Sequence, residues 1–218
     1  MNVDFLLHDL ETRQYFRRIV DSFSYIEKHE LGNQSQLIDS FSTNQCESKK
    51  WLINTLEELG VFQENQNYGV LACWFGSILI PALKKYEPKR IYGYDMDMYA
   101  LEVGKHIFKG IKNISMKHVD VWTDFPPSLD LADIIINTSC EHMPPMKDWK
   151  WYGRLKENAI FVFQSNNMTQ YNDHINCVET LEEFEDQMHP MMNIIWSGEK
   201  PIDYHDNANR FMIVGTYE

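Results

Sequence analysis

Two groups of residues in the first half of the chain have types and spacing suited to ligand binding. The first is a turn after an apolar run, made of Cys73, Trp74, Phe75, Gly76 and Ser77. Glycine in such a turn lets the backbone approach a ligand closely. The second is Asp95, which ends another apolar run 19 positions after Gly76. An acid at this spacing can accept hydrogen bonds from both ribose hydroxyls, so the pattern predicts an adenosine-binding site.

Each half of this pattern has a simpler structural interpretation. Gly76 could have a purely structural role, in a tight turn into a helix with Trp74 packing there. A helix is predicted from Met98, and either Asp95 or Asp97 could cap its first turn. Asp97 fits the capping position better, which leaves Asp95 for the ligand.

A dense polar run follows the apolar residues 134–136. It comprises Asn137, Thr138, Ser139, Cys140, Glu141 and His142. Asn137 could hydrogen-bond an amine or a carbonyl, and Glu141 and His142 could act as a base or orient a substrate amine. Alternatively, Thr138 and Ser139 cap a turn and His142 has a structural role.

Further polar residues are expected at the same edge of the sheet. The run 164–167 (Gln-Ser-Asn-Asn), His174 and Asn176 could line a substrate pocket, or could belong to a solvated loop. Tyr152 could face a cationic centre. Asp120 follows the third predicted strand, with Val121 and Trp122 behind it, at a place where a ligand's adenine could lie. Alternatively, Asp120 is a surface acid and Trp122 a core residue.

No metal site is expected from spacing. The four cysteines are far apart, without the Cys-x-x-Cys pairs of zinc clusters, and are expected to be reduced thiols. Asp148, His142 and His174 show no recognisable metal-binding spacing.

The charge balance disfavours a nucleic-acid partner. The formal net charge is −12, from 32 acids and 20 bases, and would repel a polyphosphate backbone. Charged residues from Asp4 onward argue against a signal peptide, and no apolar run is long enough to span a membrane. A cytoplasmic protein that binds small molecules is therefore expected, with no prediction of its oligomeric state.

Strands and helices are predicted to alternate from residue 68 onward. Strands are expected at 68–73, 90–95, 113–119, 131–137, 159–164, 192–196 and 210–216, and helices at 77–86, 98–108, 147–156 and 180–188. This order predicts an α/β fold: a Rossmann-like, doubly wound, seven-stranded and mainly parallel sheet with an antiparallel C-terminal hairpin.

The N-terminal region is predicted to form a helical cap. Apolar residues recur at helical spacing from Phe5 and Leu6 to Phe23, a polar connector is expected at 35–44, and a helix at 45–59 ends at Gly60. The expected division is a cap at 1–60 and a ligand-binding domain at 61–218.

From residue 68 to the C-terminus the chain resembles the class I S-adenosylmethionine-dependent methyltransferases. The resemblance implies S-adenosylmethionine as cofactor. It implies that residues 73–77 hold the methionine part, Asp95 with Met96 the ribose, and Asp120 with Val121 the adenine. It also implies that residues from Asn137 onward line the reacting centre, so that Asn137, Glu141, His142 and Tyr152 are the catalytic candidates.

The first loop departs from the family pattern, because an acid and a glycine are replaced and Trp74 and Phe75 are bulky. The stretch 76–81 (Gly-Ser-Ile-Leu-Ile-Pro) is similar to one in nicotianamine synthases, which react at the γ-carbon of the same cofactor. Methyl transfer to a small molecule is the leading hypothesis. The alternatives are γ-carbon chemistry that releases methylthioadenosine (aminocarboxypropyl transfer, or cyclisation or lysis of the cofactor itself) and a non-catalytic cofactor-binding protein.

Overall fold

The computed structural model describes residues 10–202 and 207–217, so Phe5 and Leu6 lie outside the described part. The helices are α1 (Leu10–His29), α2 (Gln34–Asp39), α3 (Thr43–Glu58), α4 (Leu79–Lys84), α5 (Met98–Ile107) and α6 (Leu181–Glu185). The strands are β1 (Asn67–Leu71), β2 (Arg90–Asp95), β3 (Ile114–His118), β4 (Ile134–Asn137), β5 (Ile160–Asn166), β6 (Met192–Pro201) and β7 (Asn209–Tyr217). No helix in this part of the chain is both long and apolar enough to cross a membrane.

The strands form one mixed sheet in the order β3-β2-β1-β4-β5-β7-β6. Strand β1 pairs with β4, β4 with β5, and β2 with β3, all in parallel. The last two strands pair antiparallel with each other, and β7 pairs antiparallel with β5. The predicted α/β class, the seven-stranded and mainly parallel sheet, and the C-terminal hairpin are confirmed.

The chain divides into two compact units. Of the described residues, the first unit comprises 10–66 and 73–119, and the second comprises 67–72, 120–202 and 207–217. In the first unit α1 packs on α5: the rings of Tyr15 and Phe108 stack at 6.0 Å, and Arg18 Nη1 donates to the Ile107 carbonyl at 3.3 Å. Through α1 the N-terminal region therefore packs on α5 of the same unit, while a domain boundary at residue 60 stays a prediction.

In the second unit the core lies around β4 and β5. All four residues of β4 are buried, as expected for a central parallel strand covered on both faces. The parallel register pairs Asn137 with Phe163, so β4 and β5 present their carboxyl ends at the same edge. The residues that follow these two strands are thereby brought together.

Two predicted elements differ from the structure. The expected polar connector at 35–44 contains α2, because the Asn33 side chain accepts from the Ser35 N–H and Leu37 is buried. The expected helix at 147–156 is replaced by two 3-10 turns, Met146–Asp148 and Tyr152–Arg154. Pro144 and Pro145 precede this segment and Gly153 interrupts it, which disfavours a continuous helix.

Predicted helix termini agree better with the structure. Asp97 caps α5 by accepting from the N–H groups of Tyr99 and Ala100. Thr180 caps α6, and Gly60 has a φ of 65° just after α3. These signals depend on local geometry alone.

Candidate functional site

The loop after β1 has an unusual backbone conformation. Ala72, Trp74 and Gly76 have φ angles of 47°, 50° and 65°. Glycine is favoured at position 76 by its positive φ, and a Cβ there would lie 2.4 Å from Ile80 Cδ1. A left-handed conformation costs a non-glycine residue about 1–2 kcal/mol, and such strain often persists at ligand sites. Two residues other than glycine thus share the left-handed conformation with Gly76 in this loop.

Asp95 joins this loop to the end of β2. Its Oδ2 accepts from the Trp74 N–H at 2.6 Å, and its Oδ1 accepts from the Asp97 N–H at 2.8 Å. The side chain is only 9% exposed, and burial raises its pKa. Each carboxylate oxygen has two lone pairs, so both can accept a further hydrogen bond from a ligand.

The N-terminal helices hold the other end of the loop. The buried Ser77 hydroxyl donates to Ser40 Oγ at 2.9 Å, and the Ser77 carbonyl accepts from the Tyr15 hydroxyl. Within the first unit, α1 and the end of α2 therefore hold Ser77 in place, just before α4 begins. No sequence pattern predicts this contact between the N-terminal region and the loop.

The remaining predicted cofactor residues of the first unit have different environments. Phe75 is buried, with its ring 4.6 Å from that of Trp74. Met96 is 69% exposed beside Asp95. Burial raises the pKa of the Cys73 thiol, which disfavours its thiolate form.

In the second unit, Asp120 and Val121 form a turn. Asp120 Oδ1 accepts from the Trp122 N–H at 2.9 Å, and its carbonyl accepts from the Asp124 N–H. Val121 is buried, and its carbonyl accepts from Trp149 Nε1 at 2.9 Å. The turn is ordered by these bonds, and a role of Asp120 and Val121 in adenine binding stays a prediction.

Asn137 and Tyr152 lie in the packed interior of the second unit. Asn137 is fully buried, and its Oδ1 accepts from the Ser139 N–H at 3.0 Å. The Tyr152 hydroxyl donates to the Met146 carbonyl at 3.1 Å, and its ring stacks on that of Tyr217 at 5.1 Å. These contacts stabilise the fold, and their catalytic roles stay predictions.

Glu141, His142 and His174 come together. Their ligating atoms all lie within 4.8 Å of one another. Glu141 is 4% exposed, and its Oε1 accepts from Asn166 Nδ2 at 2.6 Å. His174 follows β5 by eight residues, and the loop that carries it turns back so that the Asn176 N–H donates to the Glu141 carbonyl at 3.0 Å.

Two further residues of this cluster were not assigned a role from the sequence. Cys177 Sγ lies 3.6 Å from His174 Nδ1, and Arg210 is 4% exposed with its strongest charge partner in Glu141. Burial lowers the Arg210 pKa and the nearby Glu141 carboxylate opposes that shift. An arginine directly before the apolar run 211–214 was the available signal for a buried charge.

Neither sequence comparison identifies a relative: no protein-family model matches the chain, and no curated protein matches it. The fold, in contrast, matches solved structures. One is the N-methyltransferase NodS from Bradyrhizobium japonicum WM9 in complex with S-adenosyl-L-homocysteine, with a TM-score of 0.67 and 15% identity over 90% of this chain and 98% of that one.

Two other structures are similar. Geranyl diphosphate C-methyltransferase from Streptomyces coelicolor A3(2) has a TM-score of 0.61 and 11% identity, covering 86% of this chain and 84% of that one. YcgJ from Bacillus subtilis has a TM-score of 0.62 and 14% identity, covering 79% and 98%. The similarity to nicotianamine synthases stays a prediction. At these identities the comparisons establish the architecture, and the chain has the Rossmann-like fold of these methyltransferases.

Proposed function

We propose that the protein is an S-adenosylmethionine-dependent methyltransferase that acts on a small molecule. The observation that carries the proposal is the hydrogen bond from the loop after β1 to the buried Asp95 carboxylate. It places a turn with left-handed residues directly against an acid at the end of the next strand. This is the arrangement that nucleoside cofactors need in a Rossmann-like sheet.

The cofactor would be held chiefly by the first unit. Asp95 would accept from the ribose hydroxyls through its unused lone pairs, and the turn at Trp74–Gly76 would approach the methionine part. Trp74 places a bulky side chain in this loop. We therefore expect the methionine part to adopt a course different from that over an all-glycine loop.

The acceptor would be served by residues of the second unit. Among the predicted catalytic residues, Glu141 and His142 have the chemistry to remove a proton from an amine or hydroxyl nucleophile. Methyl transfer itself depends mainly on aligning the nucleophile with the sulfonium methyl group. The net charge of −12 favours a neutral or cationic small molecule over a polyanion.

Product analysis tests this function. The protein is incubated with methyl-labelled S-adenosylmethionine and a fraction of small metabolites, and the products are separated by mass spectrometry. We expect S-adenosylhomocysteine together with a labelled small molecule. Heat-denatured protein is the matched control for spontaneous decay of the cofactor.

The same experiment separates the alternatives. Methylthioadenosine formed without any acceptor would replace methyl transfer by chemistry at the γ-carbon. If calorimetry detects no binding of S-adenosylmethionine or S-adenosylhomocysteine, the proposed function is wrong.

A further inference from the structure

We propose that Glu141, His142 and His174 form a binding site for a divalent first-row transition-metal ion. The site lies wholly within the second unit and goes beyond the proposed methyl transfer. The three ligating atoms lie within 4.8 Å of one another. Two ligands that are each about 2.1 Å from one ion are separated by roughly 3–4 Å, so small side-chain rotations would bring all three to a common ion.

The Glu141 carboxylate is buried, held in one orientation and incompletely hydrogen-bonded. Its Oε2 is buried and has no hydrogen-bond partner among the described residues. Its Oε1 is held by Asn166 Nδ2 at 2.6 Å, so the carboxylate is fixed in orientation. The buried Arg210 is a charge partner of Glu141, but within the described part of the chain Oε2 itself still has no donor. Leaving a buried carboxylate oxygen without a donor is costly, and a metal ion would satisfy it.

His142 is oriented as a metal ligand would be. Its Nδ1 lies 3.0 Å from the Asp173 carbonyl and 3.5 Å from Asp173 Oδ2. Two acceptors at one nitrogen indicate that Nδ1 carries the proton, which leaves Nε2 free to ligate. A carboxylate or carbonyl behind a ligating histidine is the usual outer contact at metal sites.

His174 completes the set from the loop after β5. Its ring centroid lies 4.7 Å from that of His142, with the two planes at 87°. The three residues come from two loops, and His174 follows His142 by 32 positions, so spacing along the chain gives no metal signature.

The chemistry of the ligands selects the kind of ion. Two imidazoles and one carboxylate suit zinc, iron, cobalt, nickel or manganese, and three protein ligands leave positions open for water or substrate. Mg²⁺ prefers all-oxygen ligands and should bind more weakly. The buried Arg210 charge beside Glu141 opposes cation binding, and two imidazole ligands with one carboxylate must outweigh it.

The test is metal binding by the full chain, without S-adenosylmethionine or acceptor. After dialysis against a chelator, Zn²⁺ is titrated by calorimetry and Co²⁺ binding is followed by its visible spectrum. We expect one ion per chain and weaker binding of Mg²⁺. Glu141→Gln, His142→Ala and His174→Ala should each weaken Zn²⁺ binding at least about tenfold and alter the cobalt spectrum.

His118→Ala is the matched control, because this exposed histidine of the first unit lies outside the cluster, and it should leave Zn²⁺ binding unchanged. His142→Ala should also fold normally, since the His142 side chain is 37% exposed. The proposal is overturned if Zn²⁺ does not bind, or if the three substitutions affect binding no more than His118→Ala. Because the readout needs no methyl transfer, its result is independent of the proposed function.

Discussion

The Trp74 backbone N–H donates to Asp95 Oδ2 at 2.6 Å. One carboxylate thus fixes the loop after β1 and, through Oδ1, also accepts from the Asp97 N–H before α5. A side chain with this position can determine both the stability of the loop and its affinity for a ribose. The two effects can be separated by experiment.

Asp95→Asn should lower the free energy of unfolding by about 1–3 kcal/mol, because one of two backbone donors would then face an amide NH₂. It should weaken S-adenosylhomocysteine binding at least about tenfold through loss of a charged acceptor. Urea denaturation and calorimetry measure the two changes. Asp97→Asn is the matched control, since asparagine caps a helix as well as aspartate does. Equal affinities of the two variants would contradict the ribose role.

The protonation of Asp95 should also be visible. Burial raises its pKa in the folded protein above the ordinary value of the unfolded chain. The ionised group therefore costs stability at neutral pH, and this cost disappears as the pH falls through the folded pKa. As the pH falls through that window, the unfolding free energy of the wild type should therefore increase relative to that of Asp95→Asn. A difference that is constant with pH would show that the carboxylate is not destabilised by burial.

A substitution in the strained loop should stabilise the protein. Ala72 has a φ of 47°, which costs alanine about 1–2 kcal/mol but costs glycine little. After the greater entropy loss of glycine, Ala72→Gly should raise the free energy of unfolding by up to about 1 kcal/mol. Ala100→Gly inside α5 is the control and should lower it by about 1 kcal/mol. Destabilisation at both positions would argue against strain at Ala72.

The bond from Tyr15 to the loop can be tested in the same way. Tyr15→Phe leaves the buried Ser77 carbonyl without this donor and should cost about 1–2 kcal/mol of unfolding free energy. If the N-terminal helices position the loop, S-adenosylhomocysteine binding should weaken too. Tyr99→Phe, at an exposed tyrosine of α5, should change neither quantity. If Tyr15→Phe binds S-adenosylhomocysteine as tightly as the wild type, the N-terminal helices do not affect cofactor binding through this bond.

The succession of strands along the chain was predictable because strand signals are local. The apolar run 134–136 gives a fully buried β4, and Asp97 and Thr180 cap their helices as their positions suggest. The structure of segment 146–154 was not predicted correctly. Its composition favoured a helix, but two prolines before it and a glycine within it disfavour one, and the segment forms 3-10 turns. Local signals of this kind carry little information about how distant loops meet.

The cluster around Glu141 shows this limit. The sequence indicated polar residues after β4 and after β5, and the parallel pairing of these strands brings their ends together. It did not indicate that the loop beyond Asn166 turns back onto Glu141, because that depends on hydrogen bonds such as the one from the Asn176 N–H. Arg210 enters the same cluster from β7, the last strand in the chain.

A second carboxylate placed beside Glu141 should destabilise the protein unless a cation is bound there. Asn166 Nδ2 donates to Glu141 Oε1 at 2.6 Å, so Asn166→Asp would set two buried carboxylates against each other. We expect a loss of about 3–5 kcal/mol in the free energy of unfolding, partly restored by Zn²⁺, because the new carboxylate adds a ligand. Asn167→Asp should cost only about 1 kcal/mol and show no metal rescue, since the half-buried Asn167 contacts backbone groups near β7 instead. Thermal denaturation with and without Zn²⁺ measures both variants, and equal behaviour of the two would contradict a buried cation site at Glu141.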